Sequence, residues 1–357
     1  MFRETPLPKA CRVGYIPFRG AEMTIARFLS VGAALLTLCC GTAAAGQDKS
    51  RGFLNNPPVF ITSEPDIPLT GMGIGMPLPG EIVPDIDIVS VKSDTFRDDT
   101  RDVQPALDVE INTYRIGALR GFNDGWAAGI SIPWNRKRVR GQIGGLPATG
   151  VGDGFGDISL IAKKTLWTKD RSMIVATAGI ELPTGKDDAT FAQSNAVTNG
   201  YYRGDQHRMP LGWQTGSGTL DGYLAIAYGR SVKRLSYIAL FAAKLHSSGD
   251  QGVSIGNIFI GAASATYGIS RNVAFSLGLT LRAQEDDSYP EAPPPGVTQV
   301  ALAGTTLNGA TLYLDPSVRV RIARRFTAGV GLRYPIVKPD EGMVPDAAVS
   351  FILYPEF

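Results

Sequence analysis

The sequence predicts an all-β fold: a transmembrane antiparallel up-and-down β-barrel of about 12 strands. Apolar and polar residues alternate through most of the chain after residue 84, which is the period of a strand and not of a helix. The alternating segments span about 10 to 13 residues, longer than the roughly 5 or 6 of soluble strands and close to the roughly 9 to 11 that cross a bilayer with tilt. Short and long connections follow one another in turn, as they do in outer-membrane barrels.

Residues 1–45 are interpreted as a leader that carries a signal peptide. An apolar run, Phe28–Cys40, follows Arg27 and is shorter than the roughly 20 residues of a membrane-spanning helix. A small-residue cleavage pattern, Ala43–Ala45, comes after it. We therefore expect export from the cytoplasm and cleavage after Ala45.

Within the leader, Met23 is the expected true start, because the segment that follows it has the compact shape of an ordinary signal peptide. The alternative to cleavage after Ala45 is a lipoprotein signal modified at Cys39 or Cys40, although the residue before each cysteine is not the small residue that such a signal needs. Cys39, Cys40 and Cys11 are the three cysteines of the sequence, so all of them lie in the leader and none remains after cleavage. An exported chain without cysteine is typical of the bacterial envelope, where an oxidising periplasm would pair stray thiols.

Residues 46–83 show no period and are rich in proline and glycine. The stretch Gly71–Met76 superficially resembles a phosphate-binding loop, but that motif needs a helix after it, and here Pro77 and Pro79 follow. We expect an irregular arm that either hangs in the periplasm or folds into the lumen as a plug.

The barrel is expected to occupy residues 84–357. Its clearest segments are 273–281, 311–322 and 326–334, each with one apolar face opposed to a small or polar face. Weaker alternation marks the other segments, which are 84–96, 107–119, 125–134, 157–167, 172–182, 217–229, 235–246, 255–268 and 345–357. These segments make twelve, and counts of ten or fourteen are also compatible with the pattern.

The connections predict which way the barrel faces. Long loops are expected on the extracellular side, at 97–106, 135–156, 184–216, 247–254, 285–309 and 337–344. An even strand count then puts both ends of the barrel on the periplasmic side. The chain ends on Phe357 after an alternating strand, which resembles the signal recognised by the outer-membrane assembly machinery. Aromatic residues near segment ends are expected to form girdles against lipid and lipopolysaccharide: Trp126, Trp134, Tyr228, Tyr237, Phe326 and Tyr334.

The residues opposite the apolar faces are expected to line the lumen. They are Asp108, Glu110, Asp157, Lys163, Glu181, Asp221, Tyr223, Lys244, Tyr313, Asp315, Arg319, Arg321 and Arg333. The candidate selectivity residues among them are Arg319, Arg321, Arg333, Lys244, Glu181, Asp315 and Tyr313. The three arginines lie on adjacent segments joined by a tight turn, so we expect them to face one another as a basic patch. The alternative is the solvated or ion-paired interior that every barrel has.

Other kinds of chemistry find little support in the sequence. The net charge of +2 gives no basic stripe for nucleic acid. His246 beside Ser248 at the expected mouth is the best arrangement for a hydrolase, and His207 lies in a long loop, but no acidic partner can be placed. Asp153 and Asp157 sit in a glycine-rich stretch and supply either calcium ligands or simple turns. We therefore expect no enzyme activity, no metal and no cofactor.

Four stretches resemble the phenol-degradation meta-pathway (MetA-pathway) family of outer-membrane barrels, which are often described as transporters. They are Gly129–Trp134, Gly152–Ile158, Gly179–Gly185 and Gly331–Pro335. The resemblance covers about residues 105–357. It implies an outer-membrane location and the passage of hydrophobic or aromatic compounds, and it supplies no catalytic residues.

The sequence thus predicts a porin-like channel or transporter in the bacterial outer membrane, for small hydrophobic or aromatic solutes. A structural or adhesion barrel with binding loops is the alternative. A lipid-modifying barrel enzyme is a third and weaker hypothesis.

Overall fold

The computed structural model describes residues 75–98, 101–103, 107–143, 146–189, 191–194, 211–248, 255–286, 309–323, 326–339, 342–344 and 346–355. The leader, residues 46–74 of the arm, His207 and Phe357 lie outside the described residues. The expectations about cleavage, the true start and the assembly signal therefore stay predictions.

Seventeen β-strands and two short 3₁₀ turns are formed by the described residues. The strands are β1 (Ile82–Ser93), β2 (Thr95–Asp98), β3 (Arg101–Val103), β4 (Leu107–Gly121), β5 (Trp126–Ile143), β6 (Leu146–Phe155), β7 (Ile158–Lys169), β8 (Ser172–Leu182), β9 (Phe191–Ser194), β10 (Asp221–Val232), β11 (Leu235–Leu245), β12 (Ile258–Gly268), β13 (Val273–Gln284), β14 (Gly309–Ala323), β15 (Phe326–Val337), β16 (Gly342–Val344) and β17 (Ala348–Pro355).

Twelve of these strands close into a ring of antiparallel pairs. In order around the ring they are β1, β4, β5, β7, β8, β10, β11, β12, β13, β14, β15 and β17. β17 pairs with β1 to complete the ring, with Leu353 opposite Ile86. Over the part of the chain that the structure describes, the fold is therefore a closed 12-stranded up-and-down barrel, as the alternation predicts.

The remaining strands extend the wall at the end where the long connections lie. β6 pairs with the second half of β5, and β9 pairs with β6. β2, β3 and β16 form a separate three-stranded sheet. β6 and β7 run in the same direction along β5 and are separated only by Gly156 and Asp157, so they act as one interrupted wall strand.

Side chains alternate between the two faces of the ring. On β13, Phe275, Leu277 and Leu279 are exposed, whereas Ser276 and Thr280 are buried. In a closed ring the shielded face is the interior, so the apolar residues cover the outside, where a bilayer would contact them. Four of the six predicted girdle residues are exposed: Trp126, Phe326 and Tyr334 near strand ends, and Trp134 within β5.

Tight turns join the strands at one end of the barrel. In the turn between β7 and β8, Asp170 and Arg171 both have positive φ, 47° and 67°. Two such residues in succession are what a type I′ turn requires, and that turn matches the twist of the paired strands. Asp124 and Gly125 meet the same condition between β4 and β5, with φ of 59° and 69°.

Several strand boundaries differ from the sequence prediction. β1 begins at Ile82, inside the predicted arm, and β10 begins at Asp221 instead of residue 217. The largest difference is in the predicted loop 135–156, where β5 continues to Ile143 and β6 follows. Residues 217–220 are drawn into a loop that packs inside the wall, as described below. Among the described residues, no helix is long and apolar enough to cross a membrane.

The substitution Leu277→Arg tests whether the outer face contacts hydrocarbon. An arginine facing lipid near the midplane costs roughly 2–4 kcal/mol of folding free energy, and only about 0–1 kcal/mol near the interface. We therefore expect Leu277→Arg to lower the free energy of unfolding in lipid vesicles by about 2–4 kcal/mol, measured by urea titration of tryptophan fluorescence. Ile269→Arg, in the exposed turn before β13, is the matched control. Equal losses at the two positions would contradict the assignment.

Candidate functional site in the barrel lumen

Most of the predicted lumen residues face inward. More than nine-tenths of the surface is buried for six of the seven candidate selectivity residues, which are Glu181, Lys244, Tyr313, Asp315, Arg319 and Arg333. The seventh, Arg321, is partly exposed on the same face of β14.

Asp108 and Glu110 were predicted to face the lumen, and this is wrong. On β4 the buried positions are the odd ones, such as Thr113 and Arg115, which puts Asp108 and Glu110 on the other face. The Glu110 carboxylate lies 3.6 Å from the Arg138 guanidinium on β5. At this end of β4 the inward residues, Val109 and Ile111, are apolar and the outward ones are polar, so the alternation points to the wrong face.

A cluster of charged residues lies on the inner face of β8, β10 and β11. Lys244 Nζ is 2.7 Å from Glu181 Oε1 and 3.4 Å from Asp221 Oδ2. Asp221 Oδ2 is also 3.6 Å from His246 Nε2, and its Oδ1 accepts a hydrogen bond from the Thr219 hydroxyl. The structure thus brings together Glu181 and Lys244, two of the candidate selectivity residues. It also places Asp221 beside His246, as the acidic partner that the sequence could not identify.

The Asp157 carboxylate binds two chain segments, the one that follows β8 and the one that precedes β10. Its Oδ1 accepts the Gly185 amide at 2.8 Å, and its Oδ2 accepts the amide and the hydroxyl of Ser217 at 2.6 and 2.8 Å. Beside it, the Thr184 hydroxyl accepts the Ile158 amide and donates to the Gly156 carbonyl. Two of the motifs that carry the family resemblance, Gly152–Ile158 and Gly179–Gly185, therefore meet at one point.

Residues 211–220, called the inner loop below, pack against the inner face of β5. Asn135 Nδ2 donates to the Thr215 carbonyl at 2.9 Å, and Lys137 Nζ donates to the Gly212 carbonyl at 3.0 Å. Trp213 in this loop is fully buried. The Gln214 amide exchanges two hydrogen bonds with the backbone of Ala189. The described ends of the predicted extracellular loop 184–216 thus fold inward and narrow the lumen.

Glycines permit this close packing. A Cβ on Gly216 would lie 2.6 Å from Gly185 and 2.8 Å from the Asp157 carboxylate, and one on Gly152 would lie 2.9 Å from the Trp213 carbonyl. Sequence reasoning missed the inner loop. The signal that could have found it is the set of glycines flanking Asp157, since glycine within a strand marks a close approach of another backbone.

The inner face carries a large apolar cluster, and we call its residues on β10, β11 and β12 the apolar wall. They are Ala225 and Ala227 on β10, Ile238, Leu240 and Ala242 on β11, and Ile258, Ile260 and Ala262 on β12, and the same cluster continues to Val175 on β8 and Ile161 on β7. The residues are neighbours in the ladder: Ala225 pairs with Ala242, and Ala242 pairs with Ile260. All eight are buried.

The next strands round the ring carry positive charge instead, and we call this surface the cationic wall. It consists of Arg282 on β13, Arg319 and Arg321 on β14, and Arg333 on β15, together with Asp315. Arg333 Nε donates to Asp315 Oδ1 at 3.0 Å, and its guanidinium lies 5.2 Å from the centre of the Tyr313 ring. Asp315 also accepts the Thr280 hydroxyl.

The expectation that Arg319, Arg321 and Arg333 face one another is wrong. Arg333 contacts Asp315, whereas Arg319 pairs with Gly329 and Arg321 with Thr327, near the turn. Arg319 is four residues along β14 from Asp315, which is roughly 13 Å at the rise of a strand. The reason is the antiparallel register: residues equally distant from the turn pair, and Arg333 lies much farther from it than the other two.

The two aspartates considered as calcium ligands make structural contacts instead. Asp153 accepts the Trp134 indole N–H at 2.9 Å on the exposed face of the β5–β6 hairpin, while Asp157 binds backbone on the inner face. The two carboxylates therefore point to different sides and do not form the proposed calcium site. Within the described ranges, no group of three or more metal-binding side chains comes together.

Comparison with known proteins identifies the fold. No family model matches the sequence, and no curated protein matches it significantly. The chain is similar to the COG4313 outer membrane channel from Pseudomonas putida F1, with 12% identity and a TM-score of 0.59 over 79% of this chain and 97% of that one. Lower scores relate it to the transport unit of the autotransporter AIDA-I from Escherichia coli (7% identity, TM-score 0.46, 92% and 97% covered) and to the NanC porin (11%, 0.40, 76% and 100%).

The first of these likenesses shows the fold of an outer-membrane β-barrel. The physical features agree, because a closed barrel with an apolar outer surface and a largely polar interior is suited to a bacterial outer membrane.

Gly216→Val tests whether the inner loop depends on the glycine contact. The larger side chain cannot fit against Gly185, so we expect the loop to leave the wall and nearby Lys186 to be cleaved faster by trypsin, as followed by mass spectrometry. The control is Gly261→Val on β12, where a Cβ meets no atom within 4 Å. Unchanged cleavage in a folded Gly216→Val protein would show that this contact does not hold the loop.

Proposed function

We propose that the protein is a passive outer-membrane channel for small hydrophobic or aromatic solutes. The observation that carries this proposal is the apolar wall. The interior of an outer-membrane pore is ordinarily polar, yet eight neighbouring inward side chains on β10, β11 and β12 are aliphatic. Such a surface gives an apolar solute a place to lie as it leaves water, and a barrel that only anchors loops has no use for it.

The size of the barrel supports a specific path over a general pore. Barrels of 16 to 18 strands leave a wide aqueous channel, and the barrel diameter grows roughly linearly with strand number, so a barrel of fewer strands is narrower. Here the ring has 12 strands, and the inner loop takes up part of its cross-section. The resemblance to the phenol-degradation meta-pathway family and the likeness to a solved structure described as an outer membrane channel point to the same class of function.

The charged residues of the lumen, together with Tyr313, are proposed to govern which solutes pass. Arg319, Arg321, Arg333, Lys244, Glu181, Asp315 and Tyr313 are the candidates. Two ion pairs, Lys244 with Glu181 and Arg333 with Asp315, hold charges of both signs at fixed places on the inner face. Fixed charges close to a narrow path act on a passing solute more strongly than they would in bulk water.

We also propose that the arm, predicted as residues 46–83, restricts the lumen as a plug. Support comes from its last residues, 75–81, which the structure describes. The Gly75 carbonyl accepts a hydrogen bond from the buried Lys163 Nζ at 2.7 Å, and Met76 packs against the apolar residues of the inner face. Gly80 and Glu81 then pair with Gly121 at the short-turn rim. The first described residues, Gly75 and Met76, therefore lie inside the barrel.

Planar-bilayer recording tests both statements. We expect the full protein to give small unit currents in potassium chloride, and deletion of residues 46–74 to raise the unit conductance because the obstruction is removed. An unchanged unit conductance after the deletion would contradict the proposal that the arm is a plug. If neither form gives any current, although heat-modifiable migration in gels shows that both are correctly folded, the channel proposal is contradicted. That result would favour a barrel whose long connections bind outside the cell.

A further inference from the structure

We propose that the short-turn end of the barrel binds anionic phospholipid headgroups through basic side chains on its outer surface. We call these residues the basic rim, and they are the outward and turn cations Arg120, Lys164, Lys169, Arg171, Arg230, Lys233, Arg234 and Arg271. This inference goes beyond the proposed function, because it concerns the contact between the barrel and the membrane and not the passage of a solute.

Positive charge exceeds negative charge at this end of the barrel. Beside the eight cations, the described outward and turn residues at the same end include three carboxylates, those of Glu81, Asp124 and Asp170. The whole chain carries a formal net charge of only +2. The excess at the basic rim therefore reflects where the charges lie and not a basic composition.

The other end of the barrel has the opposite balance. The connections 246–257, 285–308 and 338–347 together contain eight acidic residues and one lysine. Outward arginines do occur there on β5, but carboxylates accompany them: Arg136 lies 3.9 Å from Asp153, and Arg138 lies 3.6 Å from Glu110. Over the described residues, an excess of outward cations is thus found at the short-turn end.

Aromatic side chains place the basic rim at the level of lipid headgroups. Exposed aromatic residues at or near strand ends on this side of the barrel are Trp126, Trp167, Tyr267, Phe275 and Phe326. Girdles of this kind lie at the interface between membrane and water. The cations of the basic rim lie beside these residues or in the turns beyond them, which is where the phosphates of a bilayer lie.

Two contacts join cations of the basic rim to exposed aromatic rings. Lys164 on β7 pairs with Trp126 on β5, and its Nζ lies 4.9 Å from the centre of the indole ring. The same Nζ donates to the Asp124 carbonyl at 2.5 Å, which holds it beside the turn. The Arg120 guanidinium lies 5.7 Å from the centre of the Phe122 ring. Each pair presents a positive charge next to an apolar surface, which suits a lipid that carries an anionic headgroup above its acyl chains.

The distribution of the basic rim favours lipid over a soluble acidic partner. Its residues come from β4 and from the turns between β7 and β8, β10 and β11, and β12 and β13, so they extend over eight consecutive strands of the ring. A soluble protein would contact one side of the barrel, whereas headgroups surround it. Short turns face the periplasm in outer-membrane barrels, so the leaflet at this level is the phospholipid one. Basic residues attract anionic lipids within about a Debye length of the surface.

Quenching of tryptophan fluorescence by brominated lipids tests the proposal. Trp126 and Trp167 are exposed at the basic rim, Trp134 is exposed within β5, and Trp213 is fully buried. Protein with Trp134→Phe therefore reports on lipid at the basic rim. It is reconstituted in vesicles of phosphatidylcholine and phosphatidylglycerol, with one or the other lipid brominated. At low ionic strength we expect phosphatidylglycerol to be preferred at least about threefold.

A second reporter provides the control within the same chain. Trp126→Phe combined with Trp167→Phe leaves Trp134, which lies beside the balanced charges of Arg136 and Asp153, as the exposed tryptophan. There we expect the preference for phosphatidylglycerol to stay below about 1.5-fold. Both leaflets of the vesicle have the same composition, so the comparison does not depend on the direction in which the barrel inserts.

Matched variants identify the cations responsible. In the Trp134→Phe protein, Lys164→Gln combined with Lys169→Gln should lower the preference to below about 1.5-fold, because two charges next to the reporting tryptophans are removed. Lys92→Gln, at the exposed far end of β1, should leave the preference unchanged. Raising the salt concentration to about 1 M should abolish it, since the Debye length falls to about 3 Å.

Three results would overturn the proposal. They are equal quenching by the two brominated lipids at the basic rim, an equal preference at both reporters, and a preference that survives the replacement of Lys164 and Lys169. The first of these would leave the basic rim to a soluble acidic partner in the periplasm. None of them bears on whether the barrel conducts, so the channel proposal stands or falls separately.

Discussion

Closure of the ladder between β1 and β17 is the constraint on which the rest of the structure depends. A closed ring has no free edge, so the backbone polar groups of its wall are paired within the wall, as hydrocarbon requires. Closure also divides the side chains into two sets, since each residue faces either outward or inward and a slip of one position exchanges the sets. The Lys244 cluster and the apolar wall both form on the inner face that this division creates.

The sequence predicts the architecture well where the two faces differ in polarity. β13 and β14 alternate clearly because their inner faces carry Ser276, Thr280, Asp315 and Arg319 against an apolar outside. β10, β11 and β12 alternate weakly, and the structure explains why: aliphatic residues occupy both faces there. The weak signal is thus the trace of the apolar wall, but periodicity alone cannot tell which of two apolar faces is inside.

The inner loop lies beyond what periodicity can predict. Its position depends on contacts between residues far apart in the chain, such as Asp157 with Ser217, and on glycines that let two backbone segments touch. The stretches around Asp157 and Thr184 carry the family resemblance, but their residue pattern alone does not show that they meet. The prediction that Arg319, Arg321 and Arg333 face one another failed for a similar reason. Alternation shows that Arg319 and Arg333 point inward, but the strand register decides how far along the barrel axis each of them lies.

The most direct test of the account is the orientation of β12, where both faces are apolar. Residues 46–357 contain no cysteine, so single nitroxide labels can be placed at Ile258→Cys, Ile260→Cys and Ala262→Cys, and at Phe259→Cys, Ala263→Cys and Ala265→Cys. Electron paramagnetic resonance in lipid vesicles then measures collisions with oxygen, which concentrates in hydrocarbon. An apolar wall inside the barrel predicts frequent collisions at 259, 263 and 265 and few at 258, 260 and 262. The reverse pattern, or equal collision rates in both sets, would contradict an apolar wall inside the barrel.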